Sequence, residues 1–148
     1  MPPTFRIASP EDLDALVAMM REYYAFDRLA FDEARARAAA ARLLGDESLG
    51  RAWIIEAGGA AIGYAVLVLG YSLEFHGRDA FLDELYVREP HRGAGVGRAA
   101  VELLEDFCRA HGVAALHLEV ERSNARAQSL YRKLGFIDHD RYLLTRRL

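Results

Sequence analysis

The chain carries 148 residues, room for one ordinary domain, and 52% of them are apolar, enough for a sizeable core. A charged fraction of 28% with 16 Gly and Pro in total excludes disordered and low-complexity classes. The net charge is −3, with 7 basic against 11 acidic residues over 1–75 and 12 against 11 over 76–148, so neither half has the cationic surplus of a nucleic-acid binder.

Cys108 is the only cysteine, which leaves no internal disulfide and no cysteine pair for zinc, and the five histidines lack ligand spacing; no metal is expected. The first ten residues lack the basic start and apolar run of a signal peptide, and the longest apolar stretch, Ala60–Leu69, is about half a bilayer span. The expectation is one soluble cytoplasmic domain over 1–148, with no membrane or nucleic-acid partner.

In chain order, Ser9 and Asp12 form a capping box around Pro10, and Leu13, Leu16, Val17, Met20 and Tyr24 follow a helical stripe. A second helix runs from Asp32 through an alanine-rich stretch to a stop at Gly45. Arg51–Ala57, the Gly58-Gly59 turn and Ala61–Leu69 read as a hairpin, continued past a bend at Gly70 by Tyr71–Phe75. His76–Asp79 is the next turn and Ala80–Val87 the next strand. A glycine-rich segment, Arg92–Gly97, then leads into a helix through Phe107 that stops at His111-Gly112. Ala114–Val120 is a strand, Asn124 or Ser123 caps a short helix ending at Leu134-Gly135, and Phe136–Leu148 supplies a final strand or strand pair. Strand–helix–strand implies a parallel crossover, so the fold class is α/β (α+β) on a mixed, mostly antiparallel sheet.

The three glycines of Arg92-Gly93-Ala94-Gly95-Val96-Gly97 alternate directly before a helix. Without Cβ atoms, backbone N–H groups can converge on a ligand, and the helix start adds unpaired N–H groups and the positive end of its dipole. Arg92 and Arg98 flank the turn. The assembly suits a phosphate or pyrophosphate. A Walker A loop would end Gly-Lys-Ser/Thr, and this one ends Gly97-Arg98-Ala99. Gly95–Ala100 satisfies G-x-G-x-x-A, with Glu119 at a fitting distance for a ribose. However, seven residues including Pro90 separate Val87 from Gly95, and too little chain follows for a doubly wound sheet.

The run Leu85-Tyr86-Val87-Arg88-Glu89-Pro90-His91-Arg92-Gly93-Ala94-Gly95-Val96-Gly97 resembles the acetyl-CoA signature of the GNAT superfamily of acyltransferases, Arg/Gln-x-x-Gly-x-Gly/Ala, with Arg92, Gly95 and Gly97 in the three specified positions. Asn124-Ala125-Arg126-Ala127 through Leu130-Tyr131 to Gly135-Phe136 resembles the family's second signature, and the likeness spans essentially the whole chain. It implies a sheet flanked by about four helices and splayed between its fourth and fifth strands, with acetyl-CoA wedged there and a bulge within Leu82–Val87. It also implies that Leu85, Tyr86, Val87, Arg92–Arg98, Asn124, Ala127 and Tyr131 meet the cofactor, and that Tyr131 protonates the departing thiolate.

The closest likeness is to small-molecule amine acetyltransferases, polyamine (diamine) enzymes included, which carry an acidic pair at the place of Asp83-Glu84. Adjacent in a strand, these two side chains face opposite ways unless the bulge intervenes. Glu84 is the first choice to hold and deprotonate the acceptor ammonium and Asp83 the second. Tyr23 and Asp27, with Phe26, Phe31 and Glu22, could hold a cationic amine around the inter-helix loop, and Glu119 and Glu74 would add negative charge. His117 reads as a hydrogen-bonded structural residue. The implied activity is N-acetyl transfer by direct attack in a ternary complex. Alternatives are a protein lysine or N-terminal acetyltransferase and an inactive acetyl-CoA-binding domain. Many relatives form homodimers.

Overall fold

A computed structural model describes residues 2–148 of the chain. One five-stranded sheet organises it, in the spatial order β1 (Thr4–Ile7), β2 (Gly50–Ala57), β3 (Ala60–Ser72), β4 (Gly77–Val87), β5 (Ala115–Leu118). The first four strands pair antiparallel, and β4 pairs parallel with β5. Four helices flank it: α1 (Leu13–Phe26), α2 (Glu33–Gly45), α3 (Val96–Ala110) and α4 (Ala125–Lys133). No helix among the described residues is long and apolar enough to cross a membrane.

Helix α1 starts after a short 3-10 turn at Pro10–Asp12, where the Asp12 carboxylate accepts from the Ser9 amide at 2.8 Å. It buries Leu16, Val17 and Met19, and Leu16 and Met19 lie on the sheet face formed by Ala52, Ile54, Tyr64, Val66 and Tyr86. Asp32 caps α2 by accepting from the Arg35 amide at 3.1 Å. On the opposite sheet face α3 buries Val101, Leu104 and Cys108 against Trp53, Ala65, Leu67, Ala80 and Leu82. The sheet thus lies between two apolar layers, as an α/β crossover requires.

The structure departs from the sequence expectations in four places. β1 is a strand that the four-residue Thr4–Ile7 stretch is too short to announce. β3 runs unbroken through Gly70 to Ser72, and the following turn is residues 73–76, closed by left-handed His76. β5 has four residues rather than seven. Residues 136–148 add no strand: the Asp138 carboxylate accepts from the Asp140 amide, Asp140 takes a left-handed φ of 52°, and the extended run breaks there. Arg141 then ties the tail to Glu74 through two bonds of 3.0 and 2.8 Å.

Two features of β4 position the site. In its pairing with β3, Val66 stands opposite Glu84 and Leu67 opposite Leu82, so Asp83 is an extra, unpaired residue. That is a β-bulge, and it lies within the stretch the sequence marks for one. The parallel pairing of β4 with β5 ends at Leu82–Leu118, one residue before it. From there the two strands part.

β3 and β4 also approach tightly at Gly63, where a Cβ would come within 2.2 Å of the Tyr86 carbonyl oxygen. Gly63→Ala should therefore force the strands apart, at a cost of about 2 kcal/mol. A urea titration followed by tryptophan emission from Trp53 should show the lower midpoint.

Candidate active site

The parted strands open into a cleft of about 1760 Å³. One wall is the end of β4 with Leu85, Tyr86, Val87 and then Arg92. The facing wall is β5 and α4, with Asn124, Ala127 and Tyr131. Asp83, His117 and Glu119 also line it, as do Tyr23, Phe26 and Asp27 from α1 and its exit. Most of the residues selected from sequence thus line one continuous space. Glu84 and the stretch Gly93–Arg98 do not line it.

The glycine-rich turn is built as its composition suggests. Gly93 and Gly95 take φ of 80° and 82°, values that L side chains avoid, and Gly95 is the N-cap of α3 without supplying a side chain. The first helical bond runs from the Ala99 amide to the Gly95 carbonyl, so the amides before it have no intrahelical acceptor. A Cβ on Gly95 would meet no protein atom within 4 Å, so the space above the turn is open. Unpaired amides, open space and a helix start make a fitting seat for a pyrophosphate. Val96 contributes only its backbone, since its side chain is buried beneath the turn with Ile55, Ile62 and Ala100.

The flanking arginines do not both point there. Arg92 folds back: its Nε donates to the Val87 carbonyl at 2.6 Å, and its guanidinium lies 4.2 Å from the centre of the Phe26 ring. Arg98 donates to Glu102 one turn along α3 at 2.9 Å.

Tyr131 is held by the way α4 ends. Asn124 caps the helix start by accepting from the Ala127 amide at 3.1 Å. At the other end the Gly135 amide donates to Arg132 O and the Phe136 amide to Tyr131 O, both at 3.0 Å, with Gly135 at a φ of 96°. This is a Schellman motif, and the Phe136 ring packs on Tyr131 at 5.8 Å between centroids. The Gly-Phe ending thus fixes the tyrosine. Its hydroxyl makes no hydrogen bond among the described residues, and burial raises its pKa, so it stays protonated at neutral pH.

The two carboxylates meet different surroundings. Glu84 turns towards α1, where it accepts from the Tyr64 hydroxyl at 2.8 Å and from the Tyr24 hydroxyl, so both of its oxygens are engaged. Burial outweighs the pull of the two phenols, so its carboxyl is raised above the ordinary range. Asp83 instead opens into the cleft beside Glu119, the two lining with Phe81 and Leu82 a recess of about 90 Å³. Neither Asp83 nor Glu119 has a hydrogen-bond or ion-pair partner among the described residues, and partial desolvation raises the Asp83 carboxyl.

Two other acidic candidates are already engaged. Glu22 accepts from Arg88 Nε at 3.0 Å, from Arg88 Nη2 at 2.9 Å and from the Tyr86 hydroxyl at 3.1 Å, which holds its carboxyl below the usual range. Glu74 pairs with Arg141. His117 is structural in the manner expected and has a partner that the sequence did not reveal: Nε2 lies 3.0 Å from Asp79, between the Phe75 and Phe81 rings.

A sheet opened by a bulge, with an amide-lined turn at one end of the opening and a phenol on its far wall, is an arrangement that can hold an extended phosphate-bearing ligand. The sequence profile of the acetyltransferase (GNAT) family matches residues 14–136, and the chain belongs to that family. Family members draw their acyl group from acetyl-CoA.

The chain is similar to the uncharacterized N-acetyltransferase YhfO of Bacillus subtilis, at 31% identity over 88% of this chain and 87% of that one. It is 32% identical to thialysine N-epsilon-acetyltransferase of Bos taurus over 55% of its own length, a match that spans 47% of the bovine protein. Its match to streptothricin acetyltransferase of Streptomyces lavendulae, at 40% identity, spans 37% of this chain and 29% of that protein. Among solved structures, an integron cassette protein from a salt-marsh metagenome superposes with a TM-score of 0.87 at 36% identity, over 97% of this chain and 90% of that one. An aminoglycoside N-acetyltransferase solved with CoA shares the fold, at a TM-score of 0.83 and 17% identity, over 99% of this chain and 95% of that one.

Gly95→Ala should weaken CoA binding at least tenfold, because the left-handed turn that aims the amides is strained by any Cβ. Calorimetric titration measures the loss, and a thermal melt should show the variant folded.

Proposed function

We propose that this chain transfers an acetyl group from acetyl-CoA to the primary amine of a small cationic molecule, by direct attack within a ternary complex. The observation that carries the reading is the recess at the bulge, where two unpartnered carboxylates, Asp83 and Glu119, face the cleft that begins at the phosphate-binding turn. Carboxylates without a protein partner in a partly desolvated recess attract an ammonium ion. Tyr23 and Asp27 across the mouth extend the same aromatic and acidic character. The match to thialysine acetyltransferase agrees with a small amine as acceptor.

Acetyl-CoA supplies a thioester, whose carbonyl carbon is the electrophile. An ammonium cannot attack it until one proton leaves. Of the acidic pair, Asp83 stands where it can take that proton, and its raised pKa makes it a better base than an ordinary aspartate. Glu84, bonded to Tyr24 and Tyr64, lies behind it and holds the acceptor side negative. As the new C–N bond forms and the C–S bond breaks, the Tyr131 hydroxyl, without a hydrogen-bond partner among the described residues, gives its proton to the departing sulfur. Leu85–Val87 offer the edge of β4 that β5 has left, to which an amide-bearing arm can bond as an added strand.

The test is a screen of primary amines with detection of the free thiol. Asp83→Asn should lower turnover on the best amine about 10²-fold with little change in CoA affinity. The sign with pH follows from the raised pKa. The proton-accepting carboxylate is lost as pH falls through that value, so wild-type activity should decline on the acid side above the ordinary aspartate range of about 4. The variant should lack that limb, and an unchanged profile would remove Asp83 from the role.

Tyr131→Phe removes one hydroxyl and little volume. At saturating acetyl-CoA its chemical step should slow by about 10²-fold, and the loss should shrink with thioesters of more acidic thiols, which need less help to depart. A purely structural tyrosine would instead lower stability or CoA affinity without dependence on the leaving group.

A further inference from the structure

We infer that Arg126, at the start of α4, is the side-chain cation that clamps the pyrophosphate of CoA onto the glycine-rich turn. The inference rests on the acetyl-CoA reading above and adds a residue to it. A turn of this kind attracts a dianionic pyrophosphate through its amides, yet the two arginines inside it are turned to other tasks. Arg92 is bonded to the Val87 carbonyl and stacked on Phe26, and Arg98 is paired with Glu102. Arg126 comes from the opposite side of the cleft mouth. Its Nη2 lies 3.9 Å from where a Cβ on Gly93 would stand, over the first glycine of the turn. No hydrogen bond, ion pair or ring contact engages its guanidinium among the described residues.

The geometry comes from α4. Asn124 caps that helix, and Gln128 pins the preceding loop by donating to Glu121 O and Arg122 O at 2.9 and 2.8 Å. With cap and loop fixed, the second helical position faces the turn across the opening. A phosphate seated on the Gly93–Gly97 amides would then meet unpaired amides on one side and a forked, permanently charged donor on the other. That arrangement favours bidentate phosphate contact. The same clamp would join α3 to α4 across the splay through the ligand.

Calorimetric titration with CoA and with dephospho-CoA, which lacks the 3′-phosphate and keeps the pyrophosphate, tests the assignment. Arg126→Ala should bind both ligands about tenfold or more weakly and by similar factors, and raised salt should narrow the gap to wild type. Arg126→Lys should recover part of the loss, as a point charge without the fork. A loss confined to CoA would overturn the pyrophosphate assignment in favour of the 3′-phosphate, and unchanged affinity for both ligands would overturn the clamp. Wild-type protein that binds neither ligand would instead refute the acetyl-CoA reading itself. A thermal melt checks that the variants fold, as expected for an exposed side chain without bonds in the free protein.

Discussion

A β-strand that loses its neighbour must find other partners for its amides and carbonyls, and β4 loses β5 after Leu82. The rest of the structure follows from that lost pairing. Beyond it β4 keeps only β3 on one side, β5 ends at Leu118, and the chain turns through the glycine-rich segment into α3 on one wall and through Asn124 into α4 on the other. The open edge, the helix starts at its mouth and the tyrosine on its far wall are consequences of one place where the sheet stops being a sheet. The α3 layer stays continuous under the opening because Leu82 and Leu85 pack beneath it with Leu116, Leu118 and Tyr131.

The acidic groups around the opening illustrate how burial and bonding set charge separately. Glu84 is deeper than Asp83 but has two phenols to stabilise its charge, and those phenols are themselves kept protonated by burial and by the carboxylate they serve. Asp83 is more open and has no such donor. Both carboxyls are raised, and the difference is access: the oxygens of Glu84 are occupied by phenols, whereas those of Asp83 are free to meet a ligand. Glu22 shows the other extreme, a carboxylate engaged by Arg88, just past β4, and by the Tyr86 hydroxyl, which together tie α1 to that strand.

Much of this could be read from the sequence where backbone geometry dictates residue type. The turn before α3 needs positive φ at Gly93 and Gly95, and α4 needs an Asn cap and a Gly stop, so both announce themselves in composition. The antiparallel hairpins, the parallel crossover and the four helices followed from periodicity and from the two signatures. What stayed hidden depends on pairs far apart in the chain. Glu22 meets Arg88 across 66 positions, and Asp79 meets His117 across 38. Arg126 has meaning only beside a loop from another element. The tail carries strand-forming residues such as Tyr142 and Leu144, yet an aspartate turn at Asp138–Asp140 diverts it, and local propensity could not weigh that diversion against pairing with a four-residue edge.

Which of Asp83 and Glu84 faces the cleft was also beyond the sequence, for a reason that bears on how such a chain can vary. Side chains along a strand alternate with a period of two, so one extra residue reverses the facing of everything after it. With Asp83 in place, Glu84 and Tyr86 look towards α1 and Leu85 towards α3. Removing that residue would leave Leu82 and Leu85 on the α3 side and Glu84 and Tyr86 on the α1 side, because Glu84 and Leu82 already pair with the consecutive residues Val66 and Leu67; only the bulge would be lost. A deletion at position 83 should therefore spare both apolar layers and straighten β4 where it parts from β5, whereas a deletion at Leu85 would turn Tyr86 from the α1 side into the α3 layer.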